Sequence, residues 1–294
     1  MTPPWASVMA PGLPEAPADG ITRLVGVQMD VQIGEAKRNA ERMLTAVTAG
    51  CRLGGTLFAF PECALTGYCF DDPAEAREAA LPEGAPALRL LEQVAREAQV
   101  VLAVGYLERT ASGFANTVSL IGPAGEMARY RKTHLPHLGV DRWSEPGCDR
   151  FRAVDAGSLR VGLLICFDAS FPEATRLLAL DHADLVLLPT NWPAEASAKS
   201  AWLPNARAYE NVIYFASINR VGEERGYGCH GRSRICGVEG EVLADGPADA
   251  EALLVADVDP RRARTKRIVR REGEYWLDRI GQRREDLYRL DGDA

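Results

Sequence analysis

The sequence predicts an α/β protein in which two β-sheets pack face to face with helices on their outer surfaces. Three observations carry that prediction. About ten apolar runs of strand length recur along the chain, too many for one simple open sheet. Segments with apolar residues at helical spacing separate several of these runs. No Pro/Gly/Ser-rich linker divides the middle of the chain, so the layers belong to a single domain.

The strand candidates cover residues 23–30, 56–60, 100–108, 117–122, 126–133, 160–166, 183–189, 213–220, 236–243 and 252–258. Most are rich in Val, Leu, Ile and Phe, as strands covered on one or both faces are. Helical patterns fall at 36–49, 87–98, 172–180 and 198–211; the first sets Ala40, Met43, Leu44 and Val47 on one face. Gly122-Pro-Ala-Gly-Glu126 reads as a turn between antiparallel strands. The order is therefore β-α-β-α-β, a hairpin, β-α-β-α-β and more β-β, which suits a four-layer α-β-β-α sandwich. Residues 1–20, rich in Pro and Ala, read as a flexible leader, 21–260 as the domain and 261–294 as a charged tail. Tyr275, Trp276, Leu277, Leu287 and Tyr288 in that tail predict that it docks on the domain or on a partner subunit.

Composition excludes several classes. Of 294 residues 47% are hydrophobic, enough for a large core, and the net charge is −7. That balance argues against nucleic acid and acidic membrane surfaces, which call for a concentrated positive field. The basic run at 261–271 reads as solvated surface or interface ion pairs. No apolar run approaches the ~18 residues of a membrane span. The first twenty residues lack the basic and apolar regions of a signal peptide, so a cytoplasmic protein is expected. Seven cysteines without a CxxC pair do not suit a disulfide or zinc framework. His134-x-x-His137 reads as two polar loop side chains rather than a metal site.

The chemistry gathers at strand ends. Arg160-Val-Gly-Leu-Leu-Ile-Cys166 ends an apolar run on a thiol, and Ser170-Phe-Pro-Glu173 then opens a helix with a capping-box pattern. Backbone N–H groups in such a bend can stabilise a thiolate and later an oxyanion. A buried structural thiol fits the same local pattern, so both readings stand. Thr56-Leu-Phe-Ala-Phe-Pro-Glu62 runs apolar into a carboxylate, which partial desolvation tunes toward proton transfer. The strand before Lys132 delivers one of only four lysines, a compact donor for a developing oxyanion. Taken singly, Glu62 also fits a cap and Lys132 a surface charge.

Together, in the order Glu, Lys, Cys, these segments resemble the nitrilase superfamily of carbon–nitrogen hydrolases. The likeness runs through Val25-Gly-Val-Gln28, Phe60-Pro-Glu-Cys-Ala-Leu-Thr-Gly-Tyr68, Tyr130-Arg-Lys-Thr-His-Leu135 and Ile165-Cys-Phe-Asp168 with Phe171-Pro-Glu173. It continues in Arg207-Ala-Tyr-Glu-Asn211 and Asn219-Arg-Val-Gly222. The resemblance implies the α-β-β-α fold, a homodimer or larger homo-oligomer, and no metal or organic cofactor. It implies Glu62 as general base, Lys132 with the Phe167 N–H as oxyanion donors, and Cys166 as nucleophile. A second acidic residue is expected beyond the lysine; Asp141 and Glu145 compete, and Asp141 is favoured by its place after Gly-Val. Asn191 and Trp192 fall on the same rim, Trp192 either walling the acyl pocket or closing an interface. Tyr68 and Trp143 are weaker candidates for contact with substrate.

The implied activity is hydrolysis of a small linear amide. N-carbamoyl amino acid hydrolysis and then nitrile hydrolysis follow as alternatives. An acyltransferase and a silent oligomeric binding protein are the readings from other classes.

Overall fold

The computed structural model describes Trp5, residues 8–9 and residues 16–288. The chain lays down β1 (Val8–Met9), β2 (Thr22–Gln28), β3 (Leu57–Ala59), β4 (Val101–Arg109), β5 (Phe114–Gly122) and β6 (Gly125–Arg131). It then forms β7 (Ala153–Ala156), β8 (Leu159–Leu163), β9 (Leu185–Thr190) and β10 (Tyr214–Asn219). A hairpin of β11 (Val221–Glu224) and β12 (Tyr227–His230) precedes β13 (Arg234–Cys236), β14 (Val242–Asp245) and β15 (Ala252–Val258). One sheet has the order β1-β15-β2-β3-β4-β5-β6 and the other β14-β13-β10-β9-β8-β7.

Strand alternation sorts the side chains into layers. Leu24, Leu57, Ala59, Ala103 and Val118 turn toward the second sheet and share a core with Leu185 and Leu187. Their neighbours Val25, Phe58, Leu102 and Val104 turn outward. These pack with Met43 and Val47 of α1 (Ala36–Cys51) and Leu91 of α3 (Pro86–Ala98), α2 being the short Pro73–Ala79. On the far side, Leu178 of α4 (Pro172–Leu180) and Leu203 and Ala208 of α5 (Ser197–Asn211) cover the second sheet. The result is the expected four-layer α-β-β-α sandwich.

Several boundaries differ from the sequence reading. The 56–60 run is strand through Ala59 and the 160–166 run through Leu163. Each is followed by one more ladder bond, from the Phe60 N–H to the Ala103 carbonyl and from the Leu164 N–H to the Leu187 carbonyl, before the chain bends toward the polar residues. The 236–243 run divides into β13 and β14 around a turn at Gly240, whose φ of +81° suits glycine. The strands β7, β11 and β12 have four residues each, too short for an apolar alternation to stand out.

The described part of the 1–20 segment is seated on the domain. Trp5 is buried, and Val8 and Met9 pair in parallel with Leu253 and Leu254; residues 1–4, 6–7 and 10–15 lie outside the described residues. After α6 (Pro260–Arg264), a hairpin of β16 (Arg267–Arg271) and β17 (Tyr275–Asp278) leads toward Tyr288. This segment packs on its own chain. Arg264 pairs with Asp184 at 2.7 Å, Lys266 Nζ donates to the Val212 carbonyl at 2.8 Å, and the Arg279 guanidinium lies 3.6 Å from the Tyr209 ring centroid. The basic run is thus threaded through ion pairs, including Arg262–Glu241 and Arg270–Glu239. Residues 289–294 lie outside the described residues. Among the described residues no helix is long and apolar enough to cross a membrane.

Candidate active site

Strand direction gathers the polar residues. β2, β3 and β4 run parallel, and the two antiparallel steps through β5 bring β6 back into the same direction. β8, β9 and β10 are also parallel. Glu62, Lys132, Cys166 and Asn191 each fall at or just beyond the carboxyl end of such a strand, the usual place for ligands in parallel sheets.

Two glycines let the loops close in. A Cβ on Gly105 of β4 would lie 2.5 Å from the Pro61 carbonyl, so only glycine allows the Pro61–Glu62 bend to rest there. Gly139 has φ +49° and a Cβ there would lie 2.2 Å from the Tyr68 ring. It opens the short 3₁₀ turn, Gly139–Arg142, that carries Asp141.

At the centre Lys132 Nζ donates to Glu62 Oε1 at 2.6 Å and to Asp141 Oδ2 at 2.5 Å, all three side chains having no exposure to solvent. Asn116 of β5 bridges the same carboxylates, its Nδ2 donating to Glu62 Oε1 at 2.7 Å and Asp141 Oδ1 at 2.9 Å. The Tyr68 hydroxyl donates to Asp141 Oδ2 at 2.7 Å. Among the described residues, one carboxylate oxygen of this cluster, Glu62 Oε2, is buried without a hydrogen-bond partner.

Charges and burial shape the titration of the group. Burial pushes the Glu62 carboxyl above its usual range; Lys132 opposes the shift and Asp141 reinforces it. Burial works against the Lys132 charge, yet Glu62 and Asp141 outweigh it and hold the ammonium well above the usual lysine value. The Cys166 thiol is pushed up to about 12, first by burial and then by the Glu62 charge. Lys132 and the polar groups of Thr190 and Asn191 pull it the other way. Cys166 is therefore within electrostatic reach of both Glu62 and Lys132.

Cys166 itself has φ +46°, a strained setting for a non-glycine residue, at the first position of the 3₁₀ turn Cys166–Ser170. Asp168, fully buried, holds that turn. Its Oδ2 accepts from the Ile165 N–H at 2.9 Å and the Tyr130 hydroxyl at 2.8 Å, and its Oδ1 from the His134 N–H at 3.0 Å. His134 Nδ1 also faces Asp168 Oδ1 at 2.7 Å. The bend carrying Cys166 is thus tied to the segment that delivers Lys132.

Of the two competing acids, the structure brings Asp141 to Lys132. Glu145 accepts from Ser112 Oγ at 2.7 Å, away from the lysine. The Tyr68 hydroxyl is bonded to Asp141 and to the Leu138 carbonyl. Phe167 is half-buried, edge-on to Phe171 and 5.9 Å from Lys199 Nζ. Asn191 is buried, and neither of its amide atoms has a partner. Trp192 is buried in the core shared by the sheets, and its backbone N–H donates to Asn219 Oδ1 at 2.8 Å. Trp143 lies beside the Arg142 guanidinium, 4.2 Å from ring centroid to Cζ. Sequence reasoning missed Asn116 and Asp168. The signal for Asn116 was a lone amide inside the apolar strand Phe114–Gly122, since a buried polar side chain needs partners. Among the described residues no His, Cys, Asp and Glu group is arranged to hold a metal.

Comparison with known proteins agrees with this architecture. The carbon-nitrogen hydrolase family profile matches residues 24–268. The chain is 34% identical over 270 residues to a protein named nitrilase from Pyrococcus abyssi, covering 91% of this chain and 99% of that one. It is 32% identical over 255 residues to an (R)-stereoselective amidase from Pseudomonas sp., covering 86% and 89%. Among solved structures, a variant of the amidase from Nesterenkonia sp. AN1 bears acrylamide added at its active-site cysteine. It superposes with a TM-score of 0.71 at 26% identity, over 82% of this chain and 95% of that one. The chain belongs to the carbon-nitrogen hydrolase family. It is an enzyme of that class.

Proposed function

We propose that this enzyme hydrolyses a small linear amide through a thioester on Cys166, releasing ammonia or an amine and a carboxylic acid. The observation that carries the reading is the division of labour at Glu62. One oxygen is fixed by Lys132 and Asn116 while the other, buried and unpartnered, remains available for a proton. A carboxyl raised by burial takes up a proton more readily than an ordinary one.

As the sulfur attacks the carbonyl carbon, Glu62 receives the thiol proton and the C=O electrons move onto oxygen. Lys132 Nζ and the Phe167 N–H hold that oxyanion. Asp141 keeps Lys132 charged and aimed. Collapse breaks the C–N bond, and Glu62 returns its proton to the departing nitrogen. Water, deprotonated by Glu62, then attacks the thioester; collapse breaks the C–S bond, releases the carboxylic acid, and Glu62 returns its proton to the departing sulfur. Asn191, with an unpartnered amide donor and acceptor, is proposed to bind the substrate's polar atoms, and Trp192 to back the acyl pocket. The adduct at the cysteine of the Nesterenkonia amidase supports a nucleophilic sulfur at this position of the fold.

Nitrile hydrolysis has one observation behind it, the 34% identity to the Pyrococcus abyssi nitrilase. There the sulfur adds to C≡N, and water must enter before ammonia leaves. The test is ammonia release across amides, N-carbamoyl amino acids and nitriles, with intact-mass detection of the acyl adduct. Amides turned over with a Cys166-linked adduct are expected. Turnover confined to nitriles or carbamoyl compounds rejects the amide reading, and near-normal ammonia release by a folded Cys166→Ala enzyme rejects the thioester.

The same reading includes a homodimer or larger homo-oligomer. Trp202 and Tyr209 of α5, with Trp276 and Tyr288 of the segment after α6, are exposed large side chains that support it. Light scattering that returns the mass of one chain at micromolar concentration rejects it.

A further inference from the structure

We infer that Thr190 is a positioning residue for the nucleophile: its hydroxyl donates to the Cys166 sulfur when the sulfur carries negative charge, alongside the Asn191 N–H. This rests on the proposed role of Cys166.

The second sheet brings the end of β9 against the turn that carries Cys166. β8 and β9 are parallel, with Val161 opposite Leu185, Gly162 opposite Val186 and Leu163 opposite Leu187. The Leu164 N–H continues the ladder by donating to the Leu187 carbonyl at 3.1 Å. Beyond this bond the chain turns into Cys166–Ser170, which packs against β9, and Thr190 at the end of β9 lies at the level of that turn. Thr190 is the last residue of β9 and is fully buried, yet its Oγ1 makes no hydrogen bond in the free protein. A buried hydroxyl without a partner is costly, and valine would fill the same space without that cost. The Cys166 thiol lies near enough that this hydroxyl and the Asn191 N–H both favour the charged sulfur.

Other groups do not duplicate this role. Lys132 also favours the thiolate, but its ammonium is bound to Glu62 and Asp141 and is assigned to the oxyanion. Glu62 disfavours it. Tyr68, Tyr227 and Cys229 also sense the Cys166 charge, and each is pushed up by burial and so stays neutral. The Tyr68 hydroxyl is committed to Asp141, and the Tyr227 hydroxyl donates to the Asn191 carbonyl at 3.2 Å. The end of β9 therefore supplies neutral donors for the sulfur while the lysine serves the oxygen. These donors act twice, as the thiol loses its proton and again as the sulfur departs from the thioester.

The test is the pH profile of Cys166 alkylation by iodoacetamide, read by peptide mass in the full-length enzyme and in Thr190→Val, Thr190→Ala and Thr190→Ser variants. Val and Ala are expected to slow alkylation about tenfold at each pH below the midpoint, the rate change that corresponds to roughly one pH unit in the thiol. Ser is expected to restore the wild-type profile. If Val fails to fold, Ala carries the same expectation. A wild-type profile in the folded Val or Ala enzyme, or a Ser enzyme that behaves like Val, overturns the inference. Alkylation reads the thiol without turnover, so this outcome is separate from ammonia release by Cys166→Ala, which bears on the nucleophile itself.

Discussion

Lys132 Nζ and Asp141 Oδ2 stand 2.5 Å apart, both closed to solvent. Glu62 makes the cluster two carboxylates around one ammonium, so a negative charge is left over in a dry site. Asp141, bonded also by Tyr68 and Asn116, has every oxygen occupied, whereas Glu62 has one free. The surplus charge is thus most easily relieved by protonating Glu62.

The first prediction separates the two acids. Asp141→Asn should reduce kcat/KM by about 10²–10³, the range seen when an electrostatic contact to an oxyanion is disturbed. Glu145→Gln should stay within about twofold, since Ser112 is its partner. Steady-state kinetics on both, with melting curves to confirm folding, check this. A larger loss in the Glu145 variant would hand the role to that residue.

Glu62→Gln keeps the shape of the side chain and removes the proton acceptor. Ammonia release should fall by about 10²–10⁴, the usual worth of a positioned general base. The loss should appear in the single-turnover phase that forms the thioester. Wild-type acylation by the Gln enzyme would exclude Glu62 as base.

The third prediction concerns pH. Burial and Asp141 both raise Glu62, and a base works only when deprotonated. Activity should therefore fall on the acid side at a midpoint above the ~4.3 of an ordinary glutamate. In Asp141→Asn one raising charge is gone, so the residual activity should persist to lower pH. The kcat/KM profile of both enzymes checks the sign; an acid limb that moves upward in the Asn variant contradicts it.

The sequence made the layers legible because apolar alternation is a local property. Leu24 against Val25 and Leu57 against Phe58 sort to opposite faces by spacing alone. Glu62, Lys132 and Cys166 were legible because each interrupts an apolar run at a strand end. Asn116 was harder, since its function depends on two carboxylates 54 and 25 residues away. Asp168 stood inside a motif already noticed, but its partners Tyr130 and His134 belong to the loop after β6 and its strand, which only the tertiary fold brings near. Thr190 needed the packing of β9 against the Cys166 turn, a non-local quantity. Hairpin β16–β17 was hidden by its charge.

The last prediction tests whether the Cys166 bend needs its anchor. Asp168 accepts from the Ile165 N–H, the Tyr130 hydroxyl and the His134 N–H, and faces the His134 ring. Asparagine has one acceptor oxygen, so its NH₂ would be turned against one set of these donors. Loss of a buried, charge-assisted network of this kind costs about 3 kcal/mol. The Asp168→Asn enzyme should melt several degrees lower, and the folded fraction at 25 °C should also be slow, because the strained φ of Cys166 loses the bond on the residue before it. Activity normalised to the folded fraction is the decisive measurement. A fully active folded fraction would make Asp168 an anchor of stability alone, and an unchanged melting point with unchanged rate would remove it from the site altogether.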